Sequence, residues 1–199
     1  MRISARPSRT AMRCLLGAAV LLINGACSNE RKEIEPVYDK QTGRLRILKY
    51  DGDHDGKAET ISYMDGARIL RIEIDKDEDG KIDRWEYYDA GQKLEKVGFS
   101  RTGDGKEDAW LYAAPDGSVT RVDISLNGDG KVTRSEHYEN DLIVSAEEDS
   151  DADGAIDKWE SYDAGGRLTS VAFDTKHRGS PDRRLVYSIG GGARVEAVP

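Results

Sequence analysis

The sequence has little of the material from which a large hydrophobic core is built. Its 199 residues include only two cysteines and two phenylalanines, and hydrophobic residues make up 37% against 34% charged ones. Such a chain buries its apolar residues more easily in small repeated units than in one interior. Nine tyrosines and three tryptophans recur at regular places, which a disordered chain would lack. The composition therefore favours an ordered repeat protein.

An excess of basic residues is also missing. The formal net charge is −8, and four of the arginines lie before Cys27, where there is no acid, so the rest of the chain is still more acidic. Because nucleic-acid phosphates require a basic face, we expect no nucleic-acid partner. The acidic surface suits divalent cations, although solubility alone is another explanation of the charge.

The sequence also lacks the common catalytic motifs. It has no phosphate-binding glycine loop, no paired-cysteine metal motif and no serine elbow. None of the three histidines, His54, His137 and His177, stands near a plausible nucleophile with an orienting acid. The many carboxylates repeat along the chain, which indicates structure rather than a single acid–base pair. We therefore expect no enzymatic activity.

Long hydrophobic runs are absent except at residues 14–23, which follow a basic and polar segment. This run is too short to span a bilayer as a stable helix and predicts a secretory signal peptide over residues 1–26. The sequence Asn24-Gly25-Ala26-Cys27 resembles the lipobox of bacterial lipoproteins, although Asn24 stands where that family has leucine or another aliphatic residue. The resemblance implies a lipid anchor at Cys27. The alternative is ordinary cleavage that leaves Cys27 as a free thiol.

The segment after the signal peptide is short and polar. Residues 27–36 are predicted to comprise the lipidated cysteine and a tether. In Gram-negative lipoproteins, an aspartate directly after the cysteine is typical of retention in the inner membrane, so the resemblance and Ser28 together imply the outer membrane. We therefore expect a lipid-anchored protein of the bacterial cell envelope, on the periplasmic or the surface side. Since Cys27 is the only cysteine of the mature chain, no intramolecular disulfide is possible.

The strongest pattern is a repeat of 24 or 25 residues, marked by glycines that close acidic loops: Gly56, Gly80, Gly105, Gly130, Gly154 and Gly179. Between these loops, two short alternating segments rich in aromatic and β-branched residues flank a turn, which is typical of a β-hairpin. We predict an all-β domain over residues 37–199, built of tandem hairpins as a solenoid-like array or a continuous antiparallel sheet. Residues 174–199 keep the glycine, lose acids and are expected to form a degenerate cap. The segment 162–168 (YDAGGRL) is similar to the YD-type repeats of bacterial wall-associated proteins, which implies only a β-repeat fold.

Two acidic loops, residues 75–86 and 149–160, resemble the twelve-residue calcium loop of the EF-hand family. Calcium takes six to eight oxygen ligands at about 2.3–2.6 Å, and alternating acids around a bend at glycine 6 supply them. The resemblance implies carboxylate ligands at positions 1, 3, 5, 9 and 12 and a main-chain carbonyl at position 7. In the first loop these are Asp75, Asp77, Asp79, Asp83, Glu86 and Lys81; in the second they are Asp149, Asp151, Asp153, Asp157, Glu160 and Ala155.

A third set, Asp51, Asp53, Asp55 and Glu59, has Ser62 at position 12. The remaining loops are poorer in ligands: one offers Asp104 and Asp108, another Asn127, Asp129 and Glu136, and the last carries Lys176 and Arg178. A 25-residue period cannot hold the paired helices of an EF-hand, so only the loop chemistry is carried over, as in the thrombospondin type 3 and integrin-like calcium loops. The alternative is that these loops are turn-formers at a solvated edge.

The resulting hypothesis is a calcium-binding lipoprotein that acts as a scaffold without catalysis and presents a face to a protein or glycan partner. One alternative is a carbohydrate-binding or carbohydrate-active surface protein that uses a stripe of Trp85, Trp110 and Trp159. Those tryptophans are otherwise expected to pack between repeats. Another alternative is a calcium-dependent adhesion or assembly factor.

Overall fold

The computed structural model describes residues 33–188 and 190–198, and within them the protein is all-β. Its fourteen strands form one open antiparallel sheet in chain order. The strands are β1 (Ile34–Tyr38), β2 (Leu45–Tyr50), β3 (Thr60–Asp65), β4 (Arg68–Ile74), β5 (Arg84–Tyr88), β6 (Leu94–Phe99), β7 (Ala109–Ala113), β8 (Val119–Ile124), β9 (Arg134–Glu139), β10 (Leu142–Glu148), β11 (Lys158–Tyr162), β12 (Leu168–Phe173), β13 (Arg183–Tyr187) and β14 (Ala193–Ala197). In these ranges no helix is long and apolar enough to cross a membrane.

Each strand pairs with its neighbours in the chain, which confirms the predicted tandem hairpins and selects the continuous sheet over the solenoid. Strand β1 begins at Ile34, so the sheet includes three residues that the sequence assigned to the tether. The last repeat still forms a hairpin, β13 and β14, despite its lost acids. The predicted signal peptide (1–26) and the lipidation site Cys27 lie outside the described residues.

Side chains alternate between two faces of the sheet, because successive residues of a strand point to opposite sides. One face, here called the polar face, carries a cross-strand row that runs through Tyr63, Arg71, Tyr87, Lys96, Tyr112 and Arg121. The other, here called the apolar face, carries a row through Ile72, Glu86, Val97, Leu111 and Val122. The sheet is stabilised by these cross-strand rows, since few apolar side chains in the described part of the chain are buried, among them Val97 and Val171.

The acidic loops all lie at one end of the sheet. Hairpin turns and acidic connections alternate along the chain, so every acidic connection joins strands at the same end. There are six of them: loop 1 (residues 51–59), loop 2 (75–83), loop 3 (100–108), loop 4 (125–133), loop 5 (149–157) and loop 6 (174–182). Strand pairing therefore places the loops side by side in chain order.

Candidate metal-binding loops at one end of the sheet

The six loops share one backbone design. The residue at position 4 and the glycine at position 6 have positive φ in every loop, for example 62° at Glu78 and 88° at Gly80. The side chain at position 1 accepts a hydrogen bond from the N–H of that glycine, as Asp75 Oδ2 does from Gly80 at 2.9 Å. At position 4 φ lies between 49° and 68°, in the left-handed region that other residues can adopt, whereas the larger φ at position 6, 78–96°, favours glycine.

Neighbouring loops are joined by a backbone ladder. The N–H of position 1 donates to the carbonyl of position 9 in the preceding loop, as from Asp75 to Glu59 and from Asp149 to Thr133, both at 2.8 Å. This bond holds position 1 between two loops and buries it: Asp75 is 9% exposed and Asp149 is 8% exposed. The first ligand position of each candidate site is therefore fixed by the sheet.

Loop 1 gathers the most complete set of carboxylates. One oxygen from each of Asp51, Asp53, Asp55 and Glu59 lies within 4.8 Å of the others. Oδ2 of Asp51 accepts the N–H of Gly56 at 3.0 Å, while its Oδ1 is buried and has no hydrogen-bond partner in the described part of the chain. All four residues predicted for this loop are thus brought together.

Loop 2 brings together Asp75, Asp77 and Asp83, again within 4.8 Å. Asp75 is nine-tenths buried, and among the described residues nothing donates a hydrogen bond to its Oδ1. A buried carboxylate oxygen without a partner is costly, and two further acids beside it add repulsion. A divalent cation would remove both costs, since carboxylate oxygens are the ligands that calcium prefers.

Two other residues predicted for loop 2 are engaged differently. Asp79 accepts hydrogen bonds from the backbone N–H of Lys81 at 2.8 Å and from its Nζ at 3.0 Å. These bonds, led by the side-chain one, lower the pKa of Asp79. The ammonium of Lys81 also donates to the carbonyl of Gly103 in loop 3 at 2.9 Å. Asp79 is therefore paired with an internal cation and stands apart from the cluster.

Loop 5 is arranged differently from its prediction. Asp151 and Asp153 are grouped with His177, a loop 6 residue that the sequence did not suggest as a ligand. Asp149 accepts the N–H groups of Asp153 and Gly154, at 3.1 and 2.8 Å. Ser150 donates its N–H and its hydroxyl to the two oxygens of Asp157. No sequence signal pointed to His177, because its position depends on strand pairing rather than on spacing within a loop.

The two predicted glutamate ligands at position 12 are not in the loops. Glu86 lies on the apolar face, where it is ion-paired with Arg84 at 2.8 Å and accepts the hydroxyl of Tyr88 at 2.7 Å. Glu160 is likewise bound by Lys158 at 3.0 Å and Tyr162 at 2.7 Å, and Arg134 donates to it at 2.7 Å. Burial raises the pKa of Glu160, but these bonds outweigh it and lower the pKa to about 2.

The place of these two glutamates has a simple physical reason. In an EF-hand a helix turns position 12 back to the ion, whereas here strands β5 and β11 have both begun at position 10, at Arg84 and Lys158. The period of two then sends positions 10, 12 and 14 to the same face of the sheet. They form a cation–glutamate–tyrosine chain in three strands, β5, β9 and β11.

Loops 3 and 4 replace the first carboxylate with serine. Ser125 is 1% exposed, accepts the N–H of Gly130 and donates its hydroxyl to Asp129, both at 3.1 Å. Position 1 of loop 4 thus carries a hydroxyl that donates a hydrogen bond, whereas position 1 of loops 1 and 2 carries a carboxylate oxygen without a partner in the described part of the chain. In loop 3 the carboxylate of Asp108 is buried and lacks a partner at Oδ2 within the described ranges, but only Asp104 accompanies it. Two carboxylates are too few for calcium.

Loop 6 satisfies its acids internally. Oδ2 of Asp174 accepts three backbone N–H groups, the shortest at 2.6 Å from Arg178 and Gly179. The ammonium of Lys176 lies 3.3 Å from Asp182. The two acids of this loop are thus satisfied by its own backbone and by Lys176.

The stripe of Trp85, Trp110 and Trp159 lies on the polar face, which also carries a row of tyrosines. Cations cover the rings of Tyr63, Tyr87 and Tyr112, with Arg71, Lys96 and Arg121 at 4.5, 4.3 and 4.1 Å from the ring centroids. Trp85 is 7% exposed, so its ring is packed within the protein rather than exposed to a ligand. Glu107 accepts hydrogen bonds from Tyr87 and Trp110, and it lies across Gly98, where a Cβ would be 2.8 Å from Glu107 Cδ.

Comparisons with known proteins give no family. No family model matches the sequence, and no curated protein is similar to it. Among solved structures, a crystal structure of TarM has a TM-score of 0.39 at 16% identity and matches 50% of this chain and 19% of its own. The complex of accessory secretory protein 1, 2 and 3 of Streptococcus pneumoniae gives 0.27 at 12% identity, over 72% and 19% of the two chains.

The GtfA/B complex bound to UDP and GlcNAc gives a TM-score of 0.22 at 8% identity, over 82% of this chain and 24% of that one. The chain thus spans about a fifth of the length of the structures it matches. At these scores the likeness carries no argument about function.

Proposed function

We propose that this protein is a calcium-binding scaffold of the bacterial cell envelope, without catalysis, in which calcium ions bind loops 1, 2 and 5. The observation that carries the proposal is Asp75, whose carboxylate is nine-tenths buried beside Asp77 and Asp83 and whose Oδ1 has no partner in the described part of the chain. Turn formation alone does not require this arrangement, since loops 3 and 4 make the same turn with serine at position 1.

Calcium is the ion that best fits loops 1 and 2. Their gathered ligand atoms are carboxylate oxygens, which suit hard cations with flexible coordination. Extracellular calcium modules bind at about 0.1–1 mM, an affinity suited to an ion that stabilises structure. In loop 5 the neighbouring imidazole of His177 adds a nitrogen to the set.

Terbium luminescence tests the proposal. Trp85 is the second residue of the strand that follows loop 2, close enough to sensitise a terbium ion bound there. We expect sensitised emission that millimolar calcium displaces, and a large loss of emission in the variant Asp77→Asn. The control is Asp116→Asn, which alters an aspartate of a hairpin turn at the other end of the sheet. Emission that is absent, or that is equal in Asp77→Asn, would overturn calcium binding in loop 2.

The lipid anchor at Cys27 is part of the same proposal and is supported by the lipobox-like sequence at residues 24–27. The test is incorporation of a labelled fatty acid during expression in a Gram-negative host. Label should enter the wild-type chain and not the variant Cys27→Ala. Equal labelling of the two chains, or none in either, would contradict the anchor and leave the calcium proposal intact.

A further inference from the structure

In loops 2, 3 and 6 the residue at position 4 lies against the preceding loop. Glu78 of loop 2 lines a cavity with residues of loop 1. The carbonyl of Gly103 in loop 3 accepts a hydrogen bond from Lys81 of loop 2, and His177 of loop 6 lies beside Asp151 and Asp153 of loop 5. Position 4 is therefore the place from which one repeat reaches the candidate site of the previous one.

The cavity between loops 1 and 2 is small and strongly acidic. Its volume is about 10 Å³, which is room for roughly one water-sized sphere. Four carboxylates line it, Asp55 and Glu59 from loop 1 and Asp75 and Glu78 from loop 2, with Lys57 as the single cationic side chain. Asp75 contributes the nine-tenths-buried carboxylate whose Oδ1 has no partner among the described residues.

Position 12, which supplies a carboxylate in the EF-hand loop, supplies none to loop 1, as in loops 2 and 5. Position 12 is Ser62, which lies on the apolar face, paired with Leu48 and Ile72. It cannot reach the cluster of Asp51, Asp53, Asp55 and Glu59. Glu78 approaches that cluster from the neighbouring loop.

We propose that Glu78 is an inter-repeat ligand, which completes the cation site of loop 1 from loop 2 so that one calcium ion holds the two repeats together. This inference rests on the proposed calcium binding of the loops. The charge of Asp53, then burial and the charges of Glu59, Asp55 and Asp75, raise the pKa of Glu78. A divalent cation between these groups would convert that repulsion into attraction.

The test is a calcium titration of the full-length protein by calorimetry with the variant Glu78→Gln, which keeps the side-chain shape and removes the charge. We expect calcium affinity of loop 1 to fall on the order of tenfold, because affinity follows the number of charged ligands. The matched control is Glu139→Gln, since Glu139 is exposed at the hairpin turn that follows β9, at the end of the sheet opposite the loops. That variant should bind calcium as the wild type does.

A second background locates the effect. In Asp53→Asn, which disables loop 1, the further change Glu78→Gln should cause no additional loss. If Glu78→Gln leaves the titration unchanged, or lowers binding equally in the Asp53→Asn background, the inter-repeat ligand is wrong while calcium binding by the loops stands. If the wild-type protein binds no calcium, the proposed function itself fails.

Discussion

Replacing Asp75 by asparagine should have opposite effects with and without calcium. Asparagine keeps the acceptor for the N–H of Gly80 and removes a buried charge that lies beside Asp77 and Asp83. Without calcium, the variant should be more stable by about 1 kcal/mol, at the low end of the cost of an unsatisfied buried polar group. The wild-type carboxylate is favourable only when an ion is bound.

With calcium the order should reverse. At about 10 mM calcium and a dissociation constant of about 0.1–1 mM, one site stabilises the folded protein by about 1.4–2.7 kcal/mol. The variant loses this contribution from loop 2. For a chain of this length, about 2–4 °C of Tm corresponds to each kcal/mol, so calcium should raise the wild-type Tm by about 3–10 °C more than that of Asp75→Asn.

The assay is unfolding monitored by tryptophan fluorescence, in excess chelator and in calcium. The control is Ser125→Ala, at position 1 of loop 4, where the hydroxyl bonds to Asp129 and Gly130. That change should destabilise the protein equally in both conditions. If Asp75→Asn is as destabilising in chelator as in calcium, Asp75 is only a turn-forming acceptor and the reasoning is refuted.

Three further outcomes are expected. Burial raises the pKa of Glu160, but the bonds from Arg134, Tyr162 and Lys158 outweigh it and lower the pKa from 4.5 to about 2. The ionised carboxylate therefore contributes about 3 kcal/mol to the free energy of unfolding above pH 4.5, and this contribution is lost as the pH falls toward 2. Glu160→Gln should therefore be less stable than wild type in urea unfolding at neutral pH, with the difference vanishing near pH 2; a difference independent of pH would contradict the ion network. The double variant Ser125→Asp and Thr133→Asp should let calcium raise the Tm through loop 4 by about 3–10 °C, as it does through a native loop. No rise would mean that the acids at positions 1 and 9 do not make the site. Burial and the Glu107 carboxylate raise the pKa of Tyr87 to about 12, so Glu107→Gln should lower it in an ultraviolet titration, and an unchanged pKa would refute that hydrogen bond.

The repeat and the hairpins could be predicted because they depend on local chemistry. The six glycines that close the loops, among them Gly56 and Gly179, mark positions with positive φ, and the alternation in segments such as Arg68–Ile74 is the signature of a strand. Whether the hairpins stack or continue as one sheet depends on contacts between repeats, which spacing within one repeat does not determine.

The ligand sets were predicted in part for the same reason. Asp51, Asp53, Asp55 and Glu59 are brought together by the curl of one loop, as their spacing indicated. Glu86 and Glu160 are not brought into the loops, because the EF-hand template assumes a helix after the loop, whereas a strand sends position 12 to the apolar face. The recurrence of Arg84, Glu86 and Tyr88 two residues apart was a signal for that outcome. Glu78 and His177 gave no such signal, since their neighbours belong to another repeat.

Calorimetric titration of the full-length protein with calcium, beside the triple variant Asp53→Asn, Asp77→Asn and Asp151→Asn, tests the central claim most directly. The account predicts three calcium ions per wild-type chain, one each in loops 1, 2 and 5, and none in the triple variant. Each single variant should lose one ion. A wild-type chain that binds no calcium, or a triple variant that binds as much as the wild type, would contradict it.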